Sequence, residues 1–107
     1  MKSYAETQPQ RSAIDALKGS AVLDFGTNWC GYCQAAAPLI EEALCDTATL
    51  QHIKVEDGPG RPLGRSFRVK LWPTLIFLRE GREVARLVRP DDSASMAEAL
   101  RQLGIPA

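Results

Sequence analysis

The chain has 107 residues, enough for one domain around a single ordinary core, and 45% of them are apolar, so no disulfide scaffold is needed to hold it. Thirteen basic and thirteen acidic side chains give a formal net charge of zero, which argues against a nucleic-acid or other polyanion partner as the main role. That zero is an average. Residues 58–89 carry eight basic side chains against two acidic ones, which reads as solvated faces or, more sharply, as a basic rim that selects acidic partners.

Residues 1–8 lack the apolar stretch of a secretory signal and no run approaches a membrane span, so a cytoplasmic chain with no membrane contact is expected. Residues 3–6 suit a short edge strand. Thr7 is placed to cap a helix with Pro9 in its first turn, and Ala13, Ile14 and Leu17 form an apolar stripe through Lys18, where Gly19 stops it. Residues 21–25 are nearly continuously apolar, as in a central strand buried on both faces. Asp24 interrupts that run. A charged carboxylate is costly there, which favours its protonated form and suits proton exchange near neutral pH.

Next comes Trp29-Cys30-Gly31-Tyr32-Cys33, which opens a helix over residues 34–44 with Ala36, Ala37, Ile40, Ala43 and Leu44 inward. Pro38 lies inside it and predicts a kink. Helical spacing sets the two cysteine backbones about 5 to 5.5 Å apart, within the reach of a disulfide, so the pair can open and close without moving the main chain. Cys30 sits where unpaired N–H groups and the helix dipole favour a thiolate, which makes it the nucleophile. Cys33, one turn in, is the resolving thiol that attacks a mixed disulfide held on Cys30. In a reducing cytosol such a pair at a strand–helix junction is catalytic or metal-binding rather than structural. A zinc site would have to draw on Cys45 and His52. Twelve helical residues separate Cys33 from Cys45 by about 18 Å, which opposes it, so no metal is expected.

Residues 50–56 alternate Ile53 and Val55 against His52, Lys54 and Glu56, the pattern of a strand, which places His52 on the strand surface and points Lys54 to solvent. Residues 57–60 are turn-forming, 61–69 suit a short helix with Leu63 and Phe67 inward, and 75–78 form an apolar strand. Residues 79–82 join it as a hairpin to a strand over 83–88. A last helix over 92–103 puts Met96, Leu100 and Leu103 on one face, with Gly104 ending it. Trp29 and Trp72 suit both core packing and the reception of a partner. Cys45 reads as a small helix residue without chemistry, or else as a regulatory or intermolecular thiol. The order predicts an α/β fold, a mixed β-sheet with helices on both faces, as a single domain over 1–107.

Asp24-Phe25, Trp29-Cys30-Gly31-x-Cys33, Pro38 five beyond the second cysteine, Lys54, Pro73-Thr74 and Gly81 together resemble the thioredoxin family over nearly the whole chain. The resemblance implies a thioredoxin-like thiol–disulfide oxidoreductase that reduces protein disulfides without a bound cofactor, as a monomer. Its electrons would come from an upstream redox protein such as a thioredoxin reductase. It makes Asp24 the buried carboxylate that exchanges a proton with Cys33 through water, and Lys54 the lysine near it. Pro73 becomes a cis-proline whose preceding backbone pairs with substrate, while Trp29, Gly31, Tyr32, Trp72 and Arg89 line the groove. Three positions depart from the family: Tyr32 stands where proline is usual and is more like periplasmic disulfide isomerases, Trp72 replaces a branched aliphatic, and Arg89 replaces a glycine. An isomerase or oxidase, and an interaction or redox-sensing module, are therefore the alternatives.

Overall fold

The computed structural model describes residues 3–45, 47 and 49–105. Among these the elements are α1 (Arg11–Asp15), β1 (Ser20–Gly26), α2 (Gly31–Leu44), β2 (Leu50–Glu56), α3 (Pro62–Ser66), β3 (Thr74–Arg79), β4 (Arg82–Val88) and α4 (Ser93–Gln102). The sheet runs β2-β1-β3-β4, with β1 parallel to β2 and antiparallel to β3, and β3 antiparallel to β4. This is the expected mixed sheet of an α/β fold.

Alternation along the two central strands sends side chains to opposite faces. Val22, Leu75 and Phe77 meet Ile40 and Leu44 of α2 and Met96 and Leu100 of α4. On the other face Leu23, Phe25, Ile76 and Leu78 meet Ile14 of α1 and Leu63 and Phe67 of α3. Fully burying one such side chain stabilises by about 1.5–3 kcal/mol. Exposed ion pairs such as Arg11–Asp15 add about 0.3–0.5 kcal/mol, so packing decides the fold.

Several expectations shift. The first helix is shorter than the stripe suggested: it starts after Gln10, which makes no side-chain cap, and Thr7 plays no capping part. Residues 3–6 form no strand, only a parallel bridge of Ala5 to Val55, in which Ala5 N–H donates to Lys54 O and Glu56 N–H to Ala5 O. That bridge lays the N-terminal segment beside β2, the outer strand of the sheet. Helix α2 begins at Gly31 rather than 34, with Pro38 inside it. Helix α3 is cut short after Ser66, and Arg68 has left-handed backbone, φ 59°. Glu80 and Gly81 both have positive φ, 51° and 77°, the backbone of a two-residue hairpin turn. The last helix is capped by Asp92, whose carboxylate accepts from Ser95 N–H at 2.6 Å.

Candidate active site

Strand β1 ends at Gly26, and the chain turns through residues 27–29 into α2, with Cys30 as its N-cap. The Cys30 sulfur accepts a hydrogen bond from Cys33 N–H at 3.3 Å, so an otherwise unpaired amide of the first turn points at the thiol. Both cysteines are buried, 7% and 3% exposed, beside Trp29 at 73% and Tyr32 at 60%. Both are free thiols.

Burial, and then the neighbouring Cys30, push the Cys33 thiol up to about 11, while a backbone hydrogen bond at Thr27 and the Tyr4 hydroxyl act the other way. Because the folded value lies above the ordinary value of 9.0, folding favours the protonated thiol. Its stabilising contribution is complete below that ordinary value and is lost as pH rises through about 11. We expect iodoacetamide to modify Cys33 of the reduced protein slowly at neutral pH and to accelerate up to about pH 11, read peptide by peptide so that exposed Cys45 is counted apart. A profile matching that of Cys45 would contradict this.

Behind Cys33 lies a polar group that sequence reasoning recovered only in part. Asp24, 1% exposed, accepts from the Tyr4 hydroxyl at 2.8 Å and meets His52 Nε2 at 3.0 Å. Lys54 is the register partner of Asp24 across β1 and β2, and its ammonium lies 4.4 Å from the centre of the Tyr4 ring. Lys54 is therefore buried, and His52 is turned into the protein rather than lying on the strand surface. Alternation put the two on one side of β2, but that side is not open to solvent as expected: the N-terminal segment, bridged to β2 at Ala5, lays the Tyr4 ring across it. Burial, and then the charge and hydrogen bond of Asp24, raise the Tyr4 phenol, which stays protonated. Tyr4 is fixed by its own N–H donating to Asn28 Oδ1 at 2.8 Å and by the bridge at Ala5.

Around the thiols the remaining expected residues form a rim. Trp72 packs against the cluster of Tyr4, Cys30 and Cys33, stacks edge-on against Trp29 at 5.8 Å, and donates its indole N–H to Asp57 at 2.9 Å. The Trp72–Pro73 peptide bond is cis. Arg89 N–H donates to Pro73 O, Arg89 Nε donates to Trp72 O, each at 2.8 Å, and the guanidinium lies 3.6 Å above the Tyr32 ring. Arg89 takes left-handed backbone, φ 50°, which is the reason a glycine suits this position and a side chain here needs those contacts to hold it. Gly31 is exposed between the cysteines. Cys45 lies apart, exposed at the other end of α2, and among the described residues no group of three or more His, Cys, Asp or Glu is placed to hold a metal. Tyr4, Gly26, His52 and Asp57 were missed as site residues. Only the mid-strand polarity of His52 beside Lys54 hinted at one of them.

A family model described as Thioredoxin matches residues 4–102. The chain is 33% identical over 91 residues to a thioredoxin of Mycobacterium bovis, covering 82% of this chain and 78% of that one. It is 30% identical over 86 residues to a thioredoxin of Chlamydia caviae, covering 78% and 82%. Among solved structures it is similar to thioredoxin 2 from Pseudomonas aeruginosa PAO1 in its reduced form, with 53% identity, a TM-score of 0.86 and 96% of each chain covered.

Proposed function

The chain belongs to the thioredoxin family and is a thiol–disulfide oxidoreductase, and on that premise we propose that it reduces protein disulfides with Cys30 attacking and Cys33 resolving. The observation that carries the assignment is the hydrogen bond from Cys33 N–H to the Cys30 sulfur, which sets Cys30 at the helix start as the attacking sulfur while Cys33 stays buried and protonated. Cys30 thiolate attacks a substrate disulfide, one substrate sulfur leaves, and a mixed disulfide forms. Cys33 then gives up its proton and attacks Cys30, the second substrate sulfur leaves, and both cysteines end as one disulfide. Two electrons have passed to the substrate. An upstream redox protein, in the family a thioredoxin reductase, returns them.

Asp24 is the acceptor for the Cys33 proton and Lys54 sets its surroundings. Trp29, Gly31, Tyr32, Trp72, Pro73 and Arg89 receive the substrate, and the exposed rings of Trp29 and Tyr32 supply apolar area for it. Arginines 61 and 86 of the basic stretch are already paired with Glu56 and Glu83, while Arg65, Arg68 and Lys70 remain exposed to meet acidic surface. A cytoplasmic reductase is the reading we favour.

The test is the equilibrium reduction potential of the Cys30–Cys33 pair in a glutathione or dithiothreitol series. A value near about −270 mV supports the reductase. A value of about −120 to −180 mV makes the protein an oxidase or isomerase in an oxidising compartment, a direction that Tyr32 in the intervening pair favours.

A further inference from the structure

Cys33 must lose a proton before it can attack, yet burial keeps the thiol protonated, so the step needs an acceptor in contact with the sulfur or connected to it. Among the described residues Asp24 is the buried carboxylate, and the Tyr4 hydroxyl interacts with both it and Cys33. The hydroxyl donates to Asp24 Oδ1 at 2.8 Å. Its oxygen and the Cys33 sulfur lie 2.8 and 2.5 Å from the point where a Cβ on Gly26 would sit, so the absence of that one carbon lets phenol and thiol face each other. On the far side of Asp24, Oδ2 meets His52 Nε2 at 3.0 Å, and the His52 side chain is 15% exposed. Thiol, phenol, carboxylate and imidazole thus form a chain from the core to the surface.

We propose that Tyr4 and His52 form a proton relay with Asp24 that carries the Cys33 proton from the resolving thiol to solvent, Tyr4 bridging sulfur and carboxylate and His52 serving as the outlet. The inference rests on Cys33 being the resolving thiol. The Cys33 S–H proton passes to the Tyr4 oxygen as the phenolic proton passes to Asp24 Oδ1, so Tyr4 ends neutral and Asp24 protonated. The protonated carboxyl of Asp24 then turns its O–H toward Nε2 of a neutral His52 protonated on Nδ1, which accepts that proton and, as imidazolium, releases one to water, leaving Asp24 ionised again. The electron pair left on Cys33 forms the bond to Cys30, and the substrate sulfur leaves with the pair of the broken S–S bond. No oxidant beyond the substrate disulfide is consumed.

Among the described residues, Cys30 and Cys33 from the start of α2, Tyr4 from the N-terminal segment, and His52 and Lys54 from β2 lie around this relay, and on β3 Leu75 is the register partner of Asp24. The Lys54 ammonium over the Tyr4 ring holds the phenol in place. A competing route exists. A pocket of about 220 Å³ lined by Ser3, Tyr4, Thr27, Asn28, Cys33, Gln34 and Lys54 opens onto the same thiol, and Thr27 Oγ1, which has no hydrogen-bond partner among the described residues, faces the same core. Water there would take the proton without Tyr4 or His52.

The experiment separates the two thiol steps with 5,5′-dithiobis(2-nitrobenzoate). Reduced protein, with Cys45 replaced by serine, releases one coloured thiolate when Cys30 attacks and a second when Cys33 resolves. Only the first step depends on reagent concentration. Tyr4→Phe should slow the second phase at pH 7 by about tenfold or more and leave the first within about twofold. His52→Gln, which still hydrogen-bonds Asp24, should slow the second phase less than Tyr4→Phe does and leave the first within about twofold. If both phases of Tyr4→Phe slow together, or the second phase of both variants keeps the wild-type rate, the relay is wrong and the pocket water is the acceptor. If Cys33→Ser still releases the second thiolate, the assignment of the resolving thiol itself has failed, which is a separate result.

Discussion

Cys33→Ser is expected to stop turnover and leave the protein covalently joined to its substrate, whereas Cys30→Ser is expected to stop turnover without any adduct. The difference follows from burial and from where the first-turn amide points. Cys30 is the N-cap sulfur that Cys33 N–H bonds at 3.3 Å, so it is the one set at the helix start to attack. Serine at 33 keeps the shape of the site but carries no sulfur to displace the substrate, and the mixed disulfide persists. Serine at 30 leaves only Cys33, 3% exposed and protonated at neutral pH, with no path to a bulky disulfide. With a protein disulfide such as that of insulin, both variants should fall to the uncatalysed rate. Non-reducing mass analysis should find the adduct on Cys30 alone in Cys33→Ser, mapped by peptide because exposed Cys45 can also react. An adduct on Cys33 in Cys30→Ser, or residual turnover in either variant, would reverse the roles.

What could be read from the sequence was whatever lies close along the chain. The apolar run of β1, the cysteine spacing at the α2 start and the alternation of β2 are local patterns, and β2 has the expected bounds of Leu50–Glu56. The two-faced mixed sheet followed from element order alone. What stayed hidden depends on long-range cover. Periodicity says on which side of β2 His52 and Lys54 project, but not that Tyr4, about fifty residues earlier, lies across that side once Ala5 bridges Val55. Tyr4 itself carries no local signal, because its partner Asp24 is 20 residues away. Thr7 misled for the opposite reason: its capping chemistry is locally sound, but α1 starts after Gln10, where Ile14 reaches the core. Pattern thus located the dithiol and its carboxylate, and packing supplied the groups that surround them.

Gly26→Ala should be among the costliest single-methyl changes in this protein, and Gly31→Ala, five residues on, should have the opposite sign. A Cβ at residue 26 would lie 2.5 Å from the Cys33 sulfur and 2.8 Å from the Tyr4 ring and hydroxyl, closer than atoms pack. Neither neighbour yields readily. Cys33 is tied into the first turn of α2, and the phenol is held by Asp24, by the Asn28 contact of its backbone and by the Lys54 ammonium over its ring. Alanine in place of glycine normally gains up to about 1 kcal/mol through a less free unfolded chain. Overpacking of this kind costs about 1–3 kcal/mol, so the clash wins and the net change is destabilising by roughly 1–2 kcal/mol. At Gly31 a Cβ meets nothing within 4 Å at the first position of a helix, so only the gain remains, up to about 1 kcal/mol. Urea midpoints of the two variants, measured on reduced protein, should therefore move in opposite directions. The Gly26→Ala protein should also lose the Tyr4 bridge and alkylate at Cys33 faster than the parent at pH 8, because a side chain pushed aside uncovers the thiol. If Gly26→Ala were as stable as the parent, with Cys33 equally protected, the close approach of phenol, sulfur and strand would not exist in solution.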